Sequence, residues 1–203
     1  METAQLCQEI VEKSLQAFQE GLFTGTSGNM SVFLKEKNAM LITPTSVRYD
    51  EMRAEDIVTM NLDGRILHGE LKPSSEWRMH AVIYKNFPEV KAVFHTHSPY
   101  ATAFAVNHLT IPPVLVESFA SLGGEIRCAD YARPGTQEVG ESAIGALQGR
   151  GGCILANHGV LAVGESLAQA YLRAEYIEEI VGDYYKKINN KKKLLEKYDP
   201  DGS

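Results

Sequence analysis

Cysteine is scarce in this chain: Cys7, Cys128 and Cys153 are the only three in 203 residues, and no two stand in a C-x-x-C spacing. An odd, sparse set excludes a disulfide framework and a cysteine-built zinc site, and it points to reduced thiols in a reducing compartment. Long apolar runs are also missing; none approaches the roughly 18–20 residues of a membrane span. The opening METAQLCQEIVEK carries three acidic groups and no apolar signal core, so no secretory leader is read there and a cytoplasmic location is expected. Basic charge is in deficit, with 20 Lys and Arg against 26 Asp and Glu and a net charge of −6. A field of that sign gives no attraction to nucleic acid. The one local exception, six lysines between positions 186 and 197, reads as a solvated helix end, where cations suit the helix dipole. The chain has no GxxxxGK[ST], no GxSxG, and no GxGxxG among Gly149, Gly151 and Gly152. Phosphate-loop ATPases, elbow-type serine hydrolases and thiol oxidoreductases are thereby set aside.

What is present suits one globular domain over residues 1–203, with a hydrophobic fraction of 44% and a charged fraction of 23%. A chain of this length buries roughly 70% of its unfolded surface without a staple. Cys7, Val11, Leu15, Phe18 and Leu22 recur at spacings of four, four, three and four, one apolar face of a helix ending near Gly21. Short apolar segments at 30–34 and 39–43 read as strands joined by a charged turn. Asp63-Gly64 between 56–62 and 66–68 marks a tight hairpin. Helices are expected at 76–86 behind Pro73-Ser74-Ser75, at 100–106, at 135–147, and from 167 to about 187 behind the cap residue Ser166. Strands are expected at 91–97, 114–116, 152–156 and 160–163. The 186–203 segment is expected to be a basic, mobile tail. Strands interrupted by helices, several of them antiparallel, indicate a layered α/β domain.

Two patterns carry chemistry. Ala92 to Pro99 reads AVFHTHSP, so an apolar strand ends in histidines at i and i+2. Side chains two apart on a strand share a face, so His95 and His97 point at one spot. A lone histidine is usually a packed core residue, and His80, one helical turn after Glu76, is read that way. Paired histidines at a strand end are how metal ligands are placed, and His158 closes a second strand as Asn157-His158-Gly159. Three imidazoles with one open position is a common catalytic zinc arrangement. The second pattern is three hydroxyl-rich loops, Thr26-Ser27-Gly28-Asn29, Thr43-Pro44-Thr45-Ser46 and Pro73-Ser74-Ser75. Backbone N–H groups in such turns, with Ser and Thr hydroxyls, hold a phosphate without a lysine.

The strings TSGNMSV, LITPTS, PSSEWRMH, HTHSPYATAFA and ILANHGVLAVG resemble the class II aldolase and adducin-head family, most of all its fuculose-phosphate aldolases. The resemblance runs from the first helix to about Tyr185. It implies a three-layer α/β/α domain with a mostly antiparallel central sheet, assembled as a homotetramer with active sites between subunits. It also implies one zinc per subunit held by His95, His97 and His158, with Glu76 as a further ligand of the free metal and as the catalytic acid/base. Gly28, Asn29, Thr45, Ser46, Ser74 and Ser75 match the positions that bind the substrate phosphate.

Two positions depart from the family pattern. Where fuculose-phosphate aldolases carry a tyrosine and a phenylalanine for the aldehyde half, this chain has Val116 or Glu117 and Pro134. Glu117 and Tyr131 are the residues nearest those gaps and stand as acid/base or substrate-contact candidates. The implied reaction is reversible cleavage of a ketose 1-phosphate, L-fuculose 1-phosphate or a similar deoxyketose phosphate, into dihydroxyacetone phosphate and an aldehyde. Rival readings on the same fold are a methylthioribulose-1-phosphate dehydratase using Glu117, a pentulose-phosphate 4-epimerase, and a non-catalytic adducin-like module. The epimerases carry aspartate where Glu76 stands, and the adducin heads lack the metal ligands.

Overall fold

A computed structural model describes residues 3–196, with side chains to residue 190. The first helix, α1 (Thr3–Gln19), leads into the hairpin β1 (Asn29–Leu34) and β2 (Ala39–Ile42). Asn38, at φ +45°, makes the sharp reversal between them, a left-handed conformation that asparagine tolerates better than most residues. A second hairpin, β3 (Val58–Asn61) and β4 (Ile66–His68), turns at Gly64 with φ +97°. Asn61 Oδ1 accepts the backbone N–H groups of Asp63 and Arg65 there, at 3.2 and 2.8 Å. The remaining elements are α2 (Trp77–Asn86), β5 (Ala92–Thr96), α3 (Pro99–Val106), α4 (Val116–Ala120), β6 (Cys128–Ala129), α5 (Gln137–Leu147), β7 (Gly152–Leu155), β8 (Gly159–Gly164) and α6 (Leu167–Glu196).

The eight strands form one sheet in the order β4-β3-β2-β1-β5-β8-β7-β6. Alternation along the strands divides the core between its two faces. On β5, Ala92 and Phe94 join Ile10 of α1, Phe104 of α3 and Tyr171 and Ile177 of α6. Val93, between them, faces the other way and meets Met79 and Ile83 of α2 and Val139 and Ala143 of α5. Stacked rings of Phe23 and Phe94, 5.0 Å apart, seat the first loop against the central strand.

Three sequence expectations are corrected here. The sheet is mixed: β6 runs parallel to β7, because α5 carries the chain back between them and a helical crossover returns it in the same direction. The segment expected as a strand at 114–116 is instead the entrance to the short helix α4, which follows Pro112 and Pro113; proline lacks the N–H a sheet ladder needs. Helix α6 continues past the expected end near 187 to Glu196, since no glycine or proline interrupts 183–196 and Lys, Leu and Glu favour helix. The rest of the expected tail, 197–203, lies outside the described residues.

Register brings three chain segments to one end of the sheet. Asn29, at the start of β1, pairs with His95 near the end of β5, and Thr96 pairs with Val160 at the start of β8. The β7–β8 turn therefore delivers His158 beside the strand that ends in His95-Thr96-His97.

Candidate active site

His95 is fully buried, and its Nδ1 lies 2.8 Å from the carbonyl oxygen of Val160. A carbonyl only accepts, so Nδ1 carries the hydrogen and Nε2 presents a lone pair. That lone pair faces His97 Nε2 at 2.9 Å, and the ring of His158 lies 4.6 Å from that of His95. One ligand atom from each of the three imidazoles falls within 4.8 Å of the others. Burial pushes all three below the ordinary histidine value, His158 to about 4, and His95 is lowered further by its two neighbouring rings. Neutral imidazole is the form a metal ion binds.

Glu76 completes the group. It precedes α2 as its N-cap, with its backbone N–H 3.3 Å from Ser74 Oγ, and its side chain is turned inward. Its Oε2 lies 3.9 Å from His158 Nε2 and, like His158 Nδ1, is buried with no hydrogen-bond partner. Burial raises the Glu76 carboxyl above the usual carboxylate range, offset in part by the N–H of Gly135. Orphaned buried polar atoms are costly in a folded protein and call for an unplaced partner. Three gathered imidazoles, with the Glu76 carboxylate oxygen 3.9 Å from His158 Nε2, are a neutral and anionic donor set that fits a divalent zinc ion.

Backbone pairing holds the hydroxyl-rich loops beside this group. Pro44 and Pro73 form a bridge, Thr45 N–H reaches Lys72 O at 3.0 Å, and Ser74 N–H reaches Thr43 O at 3.0 Å. Gly28 has φ +90°, and a Cβ there would stand 2.4 Å from the Phe23 ring. The Gly28 carbonyl is fixed from behind by Tyr49 OH at 2.7 Å. These loops and the histidine group line one cleft of about 430 Å³, a volume suited to a small phosphorylated sugar. Among the described residues no Lys or Arg lines it, so an anion there would be met by N–H and hydroxyl donors.

Of the residues singled out in the sequence, Gly28, Asn29, Thr45, Ser74, Ser75, Glu76, His95, His97 and His158 line this cleft together. Ser46 stands one residue outside its wall, exposed and in the left-handed region at φ +61°. Glu117, on α4, and the exposed Tyr131 do not line it. Asn157, in the left-handed region at φ +54°, and Pro134 do. Asn157 was not singled out in the sequence, although its place beside His158 in a tight turn was the available signal. Gly159 is required here as well: a Cβ would meet Thr96 O at 2.3 Å and the His97 ring at 3.2 Å. Gly159→Ala is expected to wedge β8 from β5 and cost roughly 1–3 kcal/mol, a typical overpacking penalty. Thermal unfolding with and without zinc would show it, and an unchanged midpoint in both would refute the packing argument.

Residues 8–185 match the model of the Class II Aldolase and Adducin N-terminal domain. The chain is 38% identical to 5-deoxy-D-ribulose 1-phosphate aldolase of Bacillus thuringiensis, over 93% of this chain and 89% of that one. It is 37% identical to 5-methylthioribulose-1-phosphate/5-deoxyribulose-1-phosphate aldolase of Rhodospirillum rubrum, over 87% and 79%. Among solved structures, an L-fuculose 1-phosphate aldolase superposes with a TM-score of 0.88 at 35% identity, covering 93% of this chain and 89% of that one.

Proposed function

The chain belongs to the class II aldolase and adducin N-terminal domain family, and on that footing we propose that it is a zinc-dependent lyase. In this reading it reversibly cleaves a 5-deoxyketose 1-phosphate, or the related L-fuculose 1-phosphate, into dihydroxyacetone phosphate and an aldehyde. One observation carries the proposal: the His95, His97, His158 and Glu76 group and the hydroxyl-rich loops open into the same cleft. The names of the relatives support the substrate class, since two of them act on five-carbon deoxyketose phosphates.

His95, His97 and His158 would hold the zinc, with Glu76 as an exchangeable fourth ligand. Zinc bound there supplies Lewis acidity at the substrate carbonyl. Gly28, Asn29, Thr45, Ser74 and Ser75 receive the phosphate through backbone N–H, amide and hydroxyl donors, with Ser46 at the margin. During cleavage the C4 hydroxyl gives its proton to a solvent water, the C3–C4 bond breaks to leave the aldehyde, and the electron pair left at C3 takes a proton from Glu76, which regains one from solvent. In the synthetic direction Glu76 removes that proton from dihydroxyacetone phosphate. A carboxyl raised by burial and opening into the cleft beside His158 is suited to both steps. Pro134 lines the cleft where the fuculose-phosphate aldolases carry an aromatic residue, so the wall offered to the aldehyde differs from theirs.

We assign the chain to a single catalytic domain, and we place it in the cytoplasm as a homotetramer with sites between subunits. Its three free cysteines support a reducing compartment. No described helix is long and apolar enough to cross a membrane. Exposed Val116, Phe119 and Tyr131, at 71, 63 and 57%, support a buried assembly surface. In such an assembly Glu117 and Tyr131 would act at a neighbouring subunit's cleft, or not at all.

The aldolase reading predicts solvent deuterium exchange into C3 of dihydroxyacetone phosphate by the zinc-loaded protein without any aldehyde. Glu117→Gln is expected to leave this exchange nearly intact, because the nucleophilic half needs only the cleft residues. Condensation with acetaldehyde should follow. No exchange, together with loss of water from methylthioribulose 1-phosphate, would transfer the assignment to a dehydratase.

A further inference from the structure

Behind Asn29 of the cleft lies a chain of buried polar side chains to which the proposed reaction gives no role. His80 is fully buried on α2; its Nε2 lies 2.5 Å from Asn29 Oδ1 and its Nδ1 2.6 Å from Ser31 Oγ. Ser31 Oγ in turn lies 2.6 Å from the hydroxyl of Tyr84, which also reaches Ser31 O at 3.0 Å. Ser31 is fully buried, and Asn29 and Tyr84 are each 4% exposed. Asn29 Oδ1 can only accept, so His80 Nε2 carries the hydrogen. Neutral His80 then accepts at Nδ1 from Ser31 Oγ–H, and the single Tyr84 hydroxyl hydrogen is shared between Ser31 Oγ and Ser31 O. Burial holds His80 in this neutral form by lowering it to about 3. Every polar atom on this path has a partner except Asn29 Nδ2, for which no acceptor occurs among the described residues, and Asn29 lines the cleft.

We infer that His80 is a positioning residue for anion recognition: held in its Nε2–H tautomer by Ser31, it ties the Asn29 carbonyl inward and leaves the Asn29 amide hydrogens for the phosphate. A planar amide has two ends of similar size and opposite polarity, so packing alone does not choose between them. Reversed, it would turn a carbonyl oxygen toward an anion. The tautomer of a neighbouring imidazole does choose, because only one of its nitrogens donates. From the next same-face position on β1, Ser31 supports that tautomer by donating to Nδ1 while its Oγ accepts from Tyr84, which accounts for a histidine, a serine and a tyrosine in a core that could have been apolar.

This inference rests on the phosphate site proposed above, and the test separates the two. Calorimetry with inorganic phosphate would be run on zinc-loaded wild type, Asn29→Ala, Ser31→Ala, His80→Gln, His80→Leu and the His80→Leu/Asn29→Ala double variant. Losing one hydrogen bond to a charged group weakens binding by about tenfold, expected for Asn29→Ala and His80→Leu alike. Ser31→Ala should weaken it in the same direction, although Ser31 is sealed from the cleft. His80→Gln, which keeps an N–H at the same reach, should stay within about threefold. The double variant should bind no worse than about twofold below Asn29→Ala, since His80 acts through Asn29. Unchanged affinity in His80→Leu and Ser31→Ala, or a His80→Leu effect undiminished in the Asn29→Ala background, overturns the positioning role while leaving the anion site standing. If His80→Leu does not fold, Ser31→Ala decides alone. Failure of the wild type to bind phosphate removes the anion site and this inference with it.

Discussion

His97→Ala is expected to lose stoichiometric zinc and to drop turnover by more than about 100-fold, the upper range seen for changes that only touch a metal's outer shell. His97 is the partly exposed member of the triad, whereas His95 is fully buried and hydrogen-bonded to β8. Its removal therefore takes away a ligand without opening a cavity in the core, so the variant should fold. Elemental analysis after dialysis, read beside a far-ultraviolet spectrum, separates loss of metal from loss of structure. Stoichiometric zinc in folded His97→Ala would show that the metal sits elsewhere. Removing the ion from wild type with a chelator should reproduce the phenotype, and re-addition of zinc should reverse it only in wild type.

Glu76→Gln is expected to keep the fold and lose between about 10²- and 10⁴-fold in the rate of cleavage and of C3 proton exchange. The amide matches the carboxylate in shape, so the 3.3 Å contact from its backbone to Ser74 and the start of α2 should persist. It cannot accept the proton. Phosphate affinity provides the control, because the loops that form that part of the cleft are untouched. A Glu76→Gln enzyme within threefold of wild type in exchange would take Glu76 out of the proton transfer, and a large fall in phosphate affinity would make it a structural residue of the loop.

Chemistry that depends on short-range spacing was legible in the chain before any fold was known. Histidines two apart on an apolar strand share a face whatever sheet the strand joins, so His95 and His97 could be paired at once. The Asp63-Gly64 hairpin and the apolar face of α1 were equally local. The strand expected at 114–116 failed because two prolines remove sheet donors that tertiary pairing would have required. The single parallel pairing was hidden because β6 is only two residues long and carries no periodicity. The meeting of His158 with the pair, 63 and 61 residues later, is a matter of register, since β8 lies against β5 only through long-range backbone hydrogen bonds. The same holds for the relay behind Asn29: His80 reads as an ordinary core histidine until β1 and α2 are packed together. Side-chain identity and local backbone preference thus determined which ligands and turns this protein carries. Only the tertiary structure decided which of them face one another, because the distances that make a site are set by sheet order and packing between residues far apart in the chain.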